Sequence, residues 1–374
     1  MKNRRPAFLV VFAAAACTFL GAENIKPFVM PSARAAGFGG IHAAQGDDFS
    51  SLFSNPASFA GIERQFSAAE ISISLYGPVF EMLDLAVHSS GPVDITSLIA
   101  SGDFAAGFDM GGPVALGWVG GGLGFGIFNR TYADAVVDPS LLLLRPAVSE
   151  EVLLLGGYSF PVFKKRDHRL DVGFLGKAYY RGTLNLESSI TDIADMFSGV
   201  SSRPFETHFG VGLDLGIKYT FAGKLSFAAA GYDVFSPALV TRYASFSDYG
   251  GGGSQDYATV TPRLALGALY KIQNDFLDRY VSDFIVMLDY RDILDPFTAS
   301  SPRNPLLNIG FGLEVKLLRV LSVRAGAADA LPSFGFGIDM KILQFDFAVR
   351  GKEMGSDPGK QSVYAVDLGL LFRY

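Results

Sequence analysis

Between Phe209 and Phe221 every odd-numbered residue is apolar or aromatic: Phe209, Val211, Leu213, Leu215, Ile217, Tyr219 and Phe221. The even positions hold Gly210, Gly212, Asp214, Gly216, Lys218 and Thr220. A period of two puts these sets on opposite faces of a β-strand. Thirteen residues rising about 3.3 Å each reach roughly 43 Å, enough to cross a bilayer even when tilted. Strands of globular proteins are about half as long.

The alternation returns along the chain. Phe284, Val286, Leu288 and Tyr290 alternate with Asp289 and Arg291, and Ile309, Phe311, Leu313 and Val315 with Gly310, Gly312, Glu314 and Lys316. Phe334, Phe336, Ile338 and Met340 face away from Gly335, Gly337 and Asp339, and Phe345, Phe347 and Val349 from Asp346 and Arg350. A soluble sandwich also alternates, with its apolar face inward. Long strands, short turns and an export signal favour an all-β transmembrane antiparallel barrel, apolar face outward. The 33 Phe and 15 Tyr suit its interfacial girdles, and the 43 Gly its tight turns.

Met110 to Asn129 is free of charge over twenty residues and long enough for a membrane helix. Eight of those residues are glycine, each costing a helix about 1 kcal/mol relative to alanine, and Pro113 costs more. A strand pair turning at Gly120, Gly121 and Gly122 fits better.

The first residues read as a secretion signal. Lys2, Arg4 and Arg5 precede an apolar stretch from Ala7 to Leu20, too short for a membrane span, with cleavage near Ala22. Cys17, the one cysteine, leaves with this segment, and disulfide and thiol chemistry leave with it. The alternative is an acylated lipoprotein cysteine after Ala14, Ala15 and Ala16, but such leaders carry a larger aliphatic residue three positions before the cysteine. Loss of the three basic residues shifts the net charge from −6 to −9, which argues against a nucleic-acid partner.

The chain then divides into a leader (1–22), a segment without strand alternation (23–65) and a barrel (66–374). About fifteen strands can be drawn from Ser67 onward; bacterial barrels carry even numbers, so fourteen or sixteen is expected. Ile190, Ile193, Phe197 and Val200 share a helical face, and Ile95 to Phe108 is similarly mixed, so both are expected as loop helices. Ser236 to Tyr257, containing Gly250 to Gly253, is expected as a long flexible loop.

The segment Gly37 to Gly61 reads GFGGIHAAQGDDFSSLFSNPASFAG. It resembles the N-terminal hatch of the FadL-type long-chain fatty-acid transporters, including their spirochaetal branch. The matching residues are Gly46, Asp47, Asp48, Asn55, Pro56, Ala57 and Gly61, an acidic pair followed by Asn-Pro-Ala just before the first strand. Val323 to Gly326 and the strand Gly335 to Met340 are similar to that family's last hairpins. At the chain end Tyr364, Val366, Leu368, Leu370, Phe372 and Tyr374 alternate to an aromatic terminus. This resembles the strand by which the outer-membrane barrel assembly machinery recognises its clients, with Leu370, Phe372 and Tyr374 as the signal.

The resemblance implies a barrel of about fourteen strands plugged by residues 23–65, in the outer membrane of a diderm bacterium. It implies uptake of long-chain fatty acids or other hydrophobic small molecules past the hatch, with sideways release into membrane lipid at a kinked strand. Gly111, Gly112 and Pro113, or Gly120, Gly121 and Gly122, are where Pro and Gly weaken pairing. Asn55, Pro56 and Ala57 are expected to pin the hatch to the wall. Asp47 and Asp48 are expected to hold backbone amides, or equally to cap a helix ahead of Phe49 to Phe53. Lys177, Lys218, Arg291, Arg324 and Arg350 are equal candidates for a lumenal cation facing a ligand carboxylate, most of them paired with acids. A second function class is a FadL-like barrel that transports nothing and serves as surface antigen, adhesin or secretion partner. The four histidines, His42, His88, His168 and His208, lack metal-ligand spacing, and no Walker loop or dinucleotide fingerprint occurs, so neither an enzyme nor a cofactor is expected.

Overall fold

The computed structural model describes residues 23–46, 48–63, 65–78, 105–138, 143–186, 188–189, 199–273, 281–299 and 301–373. The leader, Asp47, the Ile190, Ile193 and Phe197 part of the expected helical face and the 95–104 part of the other expected helix lie outside them. The barrel strands are β2 (Gln65–Gly77), β3 (Ala105–Gly120), β4 (Leu123–Asp138), β5 (Leu143–Lys165), β6 (His168–Asn185), β8 (Phe205–Phe221), β9 (Leu225–Phe235), β10 (Pro237–Tyr243), β11 (Ser254–Val260) and β12 (Arg263–Lys271). They continue as β13 (Val281–Tyr290), β14 (Ile309–Leu317), β15 (Leu321–Ala328), β16 (Leu331–Asp339), β17 (Leu343–Glu353) and β18 (Ser362–Arg373). Two short pieces complete the sheet, β1 (Glu23–Ile25) and β7 (Ser188–Ser189).

Each barrel strand runs antiparallel to its neighbours, and β18 pairs with β2, so the sheet closes. β9 and β10 are one strand bent at Ser236, both lying along β8, and β11 and β12 are another, interrupted at Thr261 and Pro262. Counted so, the wall has fourteen strands. About half of the expected loop from Ser236 to Tyr257 is therefore wall. Pro237–Tyr243 pairs with Ser254–Val260 and leaves only residues 244–253 as the connection. Gly250 to Gly253 do lie in that connection, but the flanking residues alternate, with Ala238, Val240, Ala258 and Val260 buried. Ala105 to Phe108, expected in a helix, open β3.

Which face is apolar decides the environment. Phe209, Leu154 and Phe334 are 58%, 57% and 62% exposed on the outside. The wall residues Asp214, Asp289, Glu314 and Arg324 point inward and are buried. Apolar out and polar in is the arrangement of a barrel immersed in lipid. Both ends of the wall sequence, the start of β2 and the end of β18, lie at one end, called here the turn end. The short β3–β4, β5–β6, β8–β9, β14–β15 and β16–β17 connections lie there too.

Residues 26–63 occupy the lumen. They include helices α1 (Ala33–Gly37) and α2 (Ser51–Ser54) and a 3-10 turn at Pro56–Gly61. Phe38, Ala44, Leu52, Ala57 and Phe59 are almost wholly buried there. β1 pairs in parallel with Ala258 to Val260, on the edge of β11 that β10 leaves free. The segment is thus tied to the wall at its first residues and runs into β2 at its last.

Candidate functional site

Asn55 anchors the plug at mid-wall. Its Nδ2 donates to the carbonyl of Ala43 at 3.0 Å and to Ile217 and Ala229 of β8 and β9 at 3.4 Å, and its Oδ1 accepts from the amide of Ala57 at 2.9 Å. Pro56 then fixes the first turn of the 3-10 segment. The wall makes room by omitting side chains, since a Cβ at Gly216 would strike Asn55 and one at Gly173 would strike Pro56.

A second attachment is ionic. Arg34 of α1 donates to Glu314 of β14 through Nη2 at 2.8 Å and Nε at 3.1 Å, and also pairs with Asp48. Glu314 accepts at 2.6 Å from Arg324, which holds Asp346 at 2.6 Å. Asp48 further accepts from the amide and hydroxyl of Ser50, ordering the turn before α2, whose N-cap is Ser50 itself. A third attachment joins His42 to Asp289 of β13, and Arg291 donates to the carbonyl of Gly39.

Above the plug, away from the turn end, lies a cavity of about 540 Å³, within the range of small-molecule sites. Its floor is Met30, Ala35, Ile41, Leu52 and Phe53 of the plug, together with Leu153 and Leu155. Its upper wall is charged. Arg130 grips Asp109 with two bonds of 2.7 and 2.8 Å, reaches Glu151 at 3.2 Å and lies 4.4 Å over the ring of Tyr132. Lys26 meets Asp134 at 2.7 Å, and Lys177 meets Asp214 at 2.8 Å. Two lining cations lack an acid partner among the described residues. Arg263 stands 5.4 Å from the ring of Tyr232 with its Nε unbonded, and Lys352 stands 3.9 Å over the ring of Tyr76. Positive charge that makes no close ion pair in a partly apolar chamber suits the acidic head of an amphiphile.

The wall is interrupted beside the plug. β2 and β3 pair from Gln65 to Ser67 and again from Ser72 to Tyr76, but residues 68–71 and 112–116 do not pair across this seam. On the other side of β3 the ladder to β4 breaks between Gly111 and Ala115, where the side chain of Asn129 takes the amide of Val114 at 2.9 Å. Gly112 has φ +89, and a Cβ on it would strike the carbonyl of Glu70, so glycine lets the two strands touch without a ladder. Immediately behind is a second cavity of about 50 Å³, lined by Met30, Phe49, Phe53, Glu70 and Leu371. Met30, Ala35, Ile41 and Phe53 line both cavities.

Of the two glycine clusters singled out for a kink, Gly111 to Pro113 lies at this interruption, whereas Gly120 to Gly122 forms the β3–β4 turn, with Gly121 and Gly122 at φ +58 and +89. Asp48, Asn55, Pro56 and Ala57 are brought to the plug–wall contact. Among the lumenal cations, Lys177, Arg324 and Arg350 sit in ion pairs, Lys218 reaches Ser58, and Arg291 reaches Asp329 at 3.9 Å. Leu370 and Phe372 face lipid on β18; Tyr374 lies outside the described residues. Arg34, His42, Arg263 and Met30 carry no sequence motif and were found only by their neighbours in space. Among the described residues no cluster of metal-ligating side chains occurs.

No protein-family model matches the chain, and no characterised protein matches it by sequence. Solved structures that it resembles include the CymD monoaromatic hydrocarbon channel, at 13% identity over 91% of this chain and 97% of that one, with a TM-score of 0.48. Others are the toluene transporter TodX of Pseudomonas putida (11% identity, 94% and 99% covered, TM-score 0.49) and a FadL homologue of Pseudomonas aeruginosa (12% identity, 94% and 99% covered, TM-score 0.49). At such identities the likeness is one of overall architecture.

Proposed function

We propose that the chain is an outer-membrane channel for long-chain fatty acids or similar acid-headed hydrophobic molecules. Ligand is captured in the 540 Å³ cavity, passes the plug at Met30 and Phe53, and leaves sideways between β2 and β3 at Gly111 to Pro113. The observation that carries this reading is the floor shared by the two cavities, because the smaller one reaches Glu70 in the unpaired stretch of β2. Burial of an acyl chain contributes about 0.8 kcal/mol per CH₂, while Arg263 and Lys352 supply charge for the head. A sideways exit spares the chain a passage through water. Long connections lie at the end opposite the turn end, so in this reading that end faces outward and the turn end faces the periplasm.

The test is binding of a fluorescent long-chain fatty acid by the refolded mature chain in detergent, followed by uptake into vesicles. Saturable binding that unlabelled fatty acid competes away is the expected result. A folded barrel that binds no acyl chain would rule the reading out.

A further inference from the structure

Three of the turns at the periplasmic end, β5–β6, β14–β15 and β16–β17, share a feature that the channel does not need. In the β14–β15 turn Leu318, Arg319 and Val320 are all exposed, and in the β16–β17 turn so are Met340, Lys341 and Ile342. Each turn presents a cation between two apolar side chains. The β5–β6 hairpin repeats the combination on a larger scale. Seven residues of β5 lie beyond Tyr158, its last partner on β4, and every residue from Phe160 to His168 is exposed. Phe160 and Phe163 pair with Val172 and Leu170 across the hairpin, and the tip is Lys164, Lys165 and Arg166.

The backbone makes this costly. Leu318, Arg319, Lys341 and Arg166 have φ of +49, +61, +69 and +50, a region where glycine is at ease and other residues are strained. The other turns use glycine there, at Gly121, Gly122 and Gly223, or the small or acidic residues Ala222, Asp329 and Ala330, and none of them places a long cation in that region. Arg, Lys and Leu kept in left-handed positions on an exposed rim indicate that the side chains are wanted. They are not wanted for ion pairs within the molecule, since Lys164, Lys165, Arg166, Arg319 and Lys341 have no acid partner among the described residues. Nor does the overall charge explain them, because the chain is net negative.

We propose that these turns form a rim of binding sites for anionic phospholipid headgroups in the periplasmic leaflet. The flanking apolar residues dip into the acyl boundary, continuous with the lipid-facing Tyr158, Phe160 and Phe221, and the cation meets the phosphate. Lysine and arginine stems on aromatic or aliphatic residues at an interface behave in this way. An extended peptide adding to the free edge of β5 is the less favoured occupant, because Pro161 and the lysines blunt that edge. The rim does not depend on what the channel carries.

The test uses the full mature chain in mixed micelles, with phosphatidylglycerol competing against phosphatidylcholine and the retained lipid counted by native mass spectrometry. Arg319→Gln with Lys341→Gln, and separately Lys164→Gln with Lys165→Gln and Arg166→Gln, are each expected to lower the preference for phosphatidylglycerol about fivefold per charge removed. Arg319→Gly separates binding from architecture. It relieves the backbone, so the variant should unfold at higher denaturant while its preference for phosphatidylglycerol falls. Unchanged preference in correctly folded variants would overturn the proposal, and so would capture of acidic peptide in place of lipid.

Discussion

Nδ1 of His42 lies 2.5 Å from Oδ2 of Asp289, and Nε2 of the same ring lies 3.0 Å from the carbonyl of Phe38. The carbonyl only accepts, so Nε2 carries a hydrogen. Asp289 also accepts the amide of Ala43 at 2.6 Å. The pair is fully buried and stitches the plug to β13. Asp289→Asn keeps both contacts, its NH₂ donating to Nδ1 and its carbonyl accepting from Ala43. Asp289→Ala strands two buried groups at about 1–3 kcal/mol each. The alanine variant should lose plug protection in limited proteolysis or hydrogen exchange, and the asparagine variant should keep most of it.

Asn55→Ala removes the donor that spans Ala43, Ile217 and Ala229 and the acceptor for Ala57. A loss on the order of 2 kcal/mol is expected, confined to the plug because the wall ladder is untouched. Single-channel recordings should then show larger or more frequent ion leak than in the parent chain.

Arg263 and Lys352 are expected to read the charge of the ligand. Replacing either by glutamine should weaken binding of a fatty acid by about tenfold, the worth of one charge-assisted hydrogen bond. Binding of the corresponding methyl ester should change little. Equal losses for acid and ester would assign both residues to packing instead.

Met30 is 4% exposed and lines both cavities. Met30→Trp should obstruct the passage between them, so that vesicle uptake drops at least tenfold while equilibrium binding in the outer cavity persists. Met30→Ala should widen the passage at a stability cost of about 2–5 kcal/mol. If Met30→Trp transports as the parent does, the exit lies elsewhere.

The wall was legible because side-chain period and burial face are locked together. Phe209 to Phe221 announced its lipid face one residue at a time, and only the bends at Ser236 and Pro262 blurred the count. The error at Ser236–Tyr257 came from weight given to Gly250 to Gly253, which mark a turn between two strands as readily as a loop. Asn-Pro by itself commonly starts a turn, and Asn55 was legible only through the resemblance of Asn-Pro-Ala, set between an acidic pair and the first strand, to a known hatch. Arg34 was not, since its partner Glu314 is 280 residues away and nothing local distinguishes it from a surface arginine. His42 carries no local signal for the same reason, Asp289 being 247 residues away.

The pairing of β1 with β11 changes what opening can mean. One end of the plug is fastened high on the wall and the other runs directly into β2, so it resembles a stopper on two tethers. Pushing it out whole would tear the β1–β11 ladder or unravel β2. If the channel works as proposed, a molecule has to work past a yielding spot while the rest of the stopper stays in place, and the barrel never stands empty.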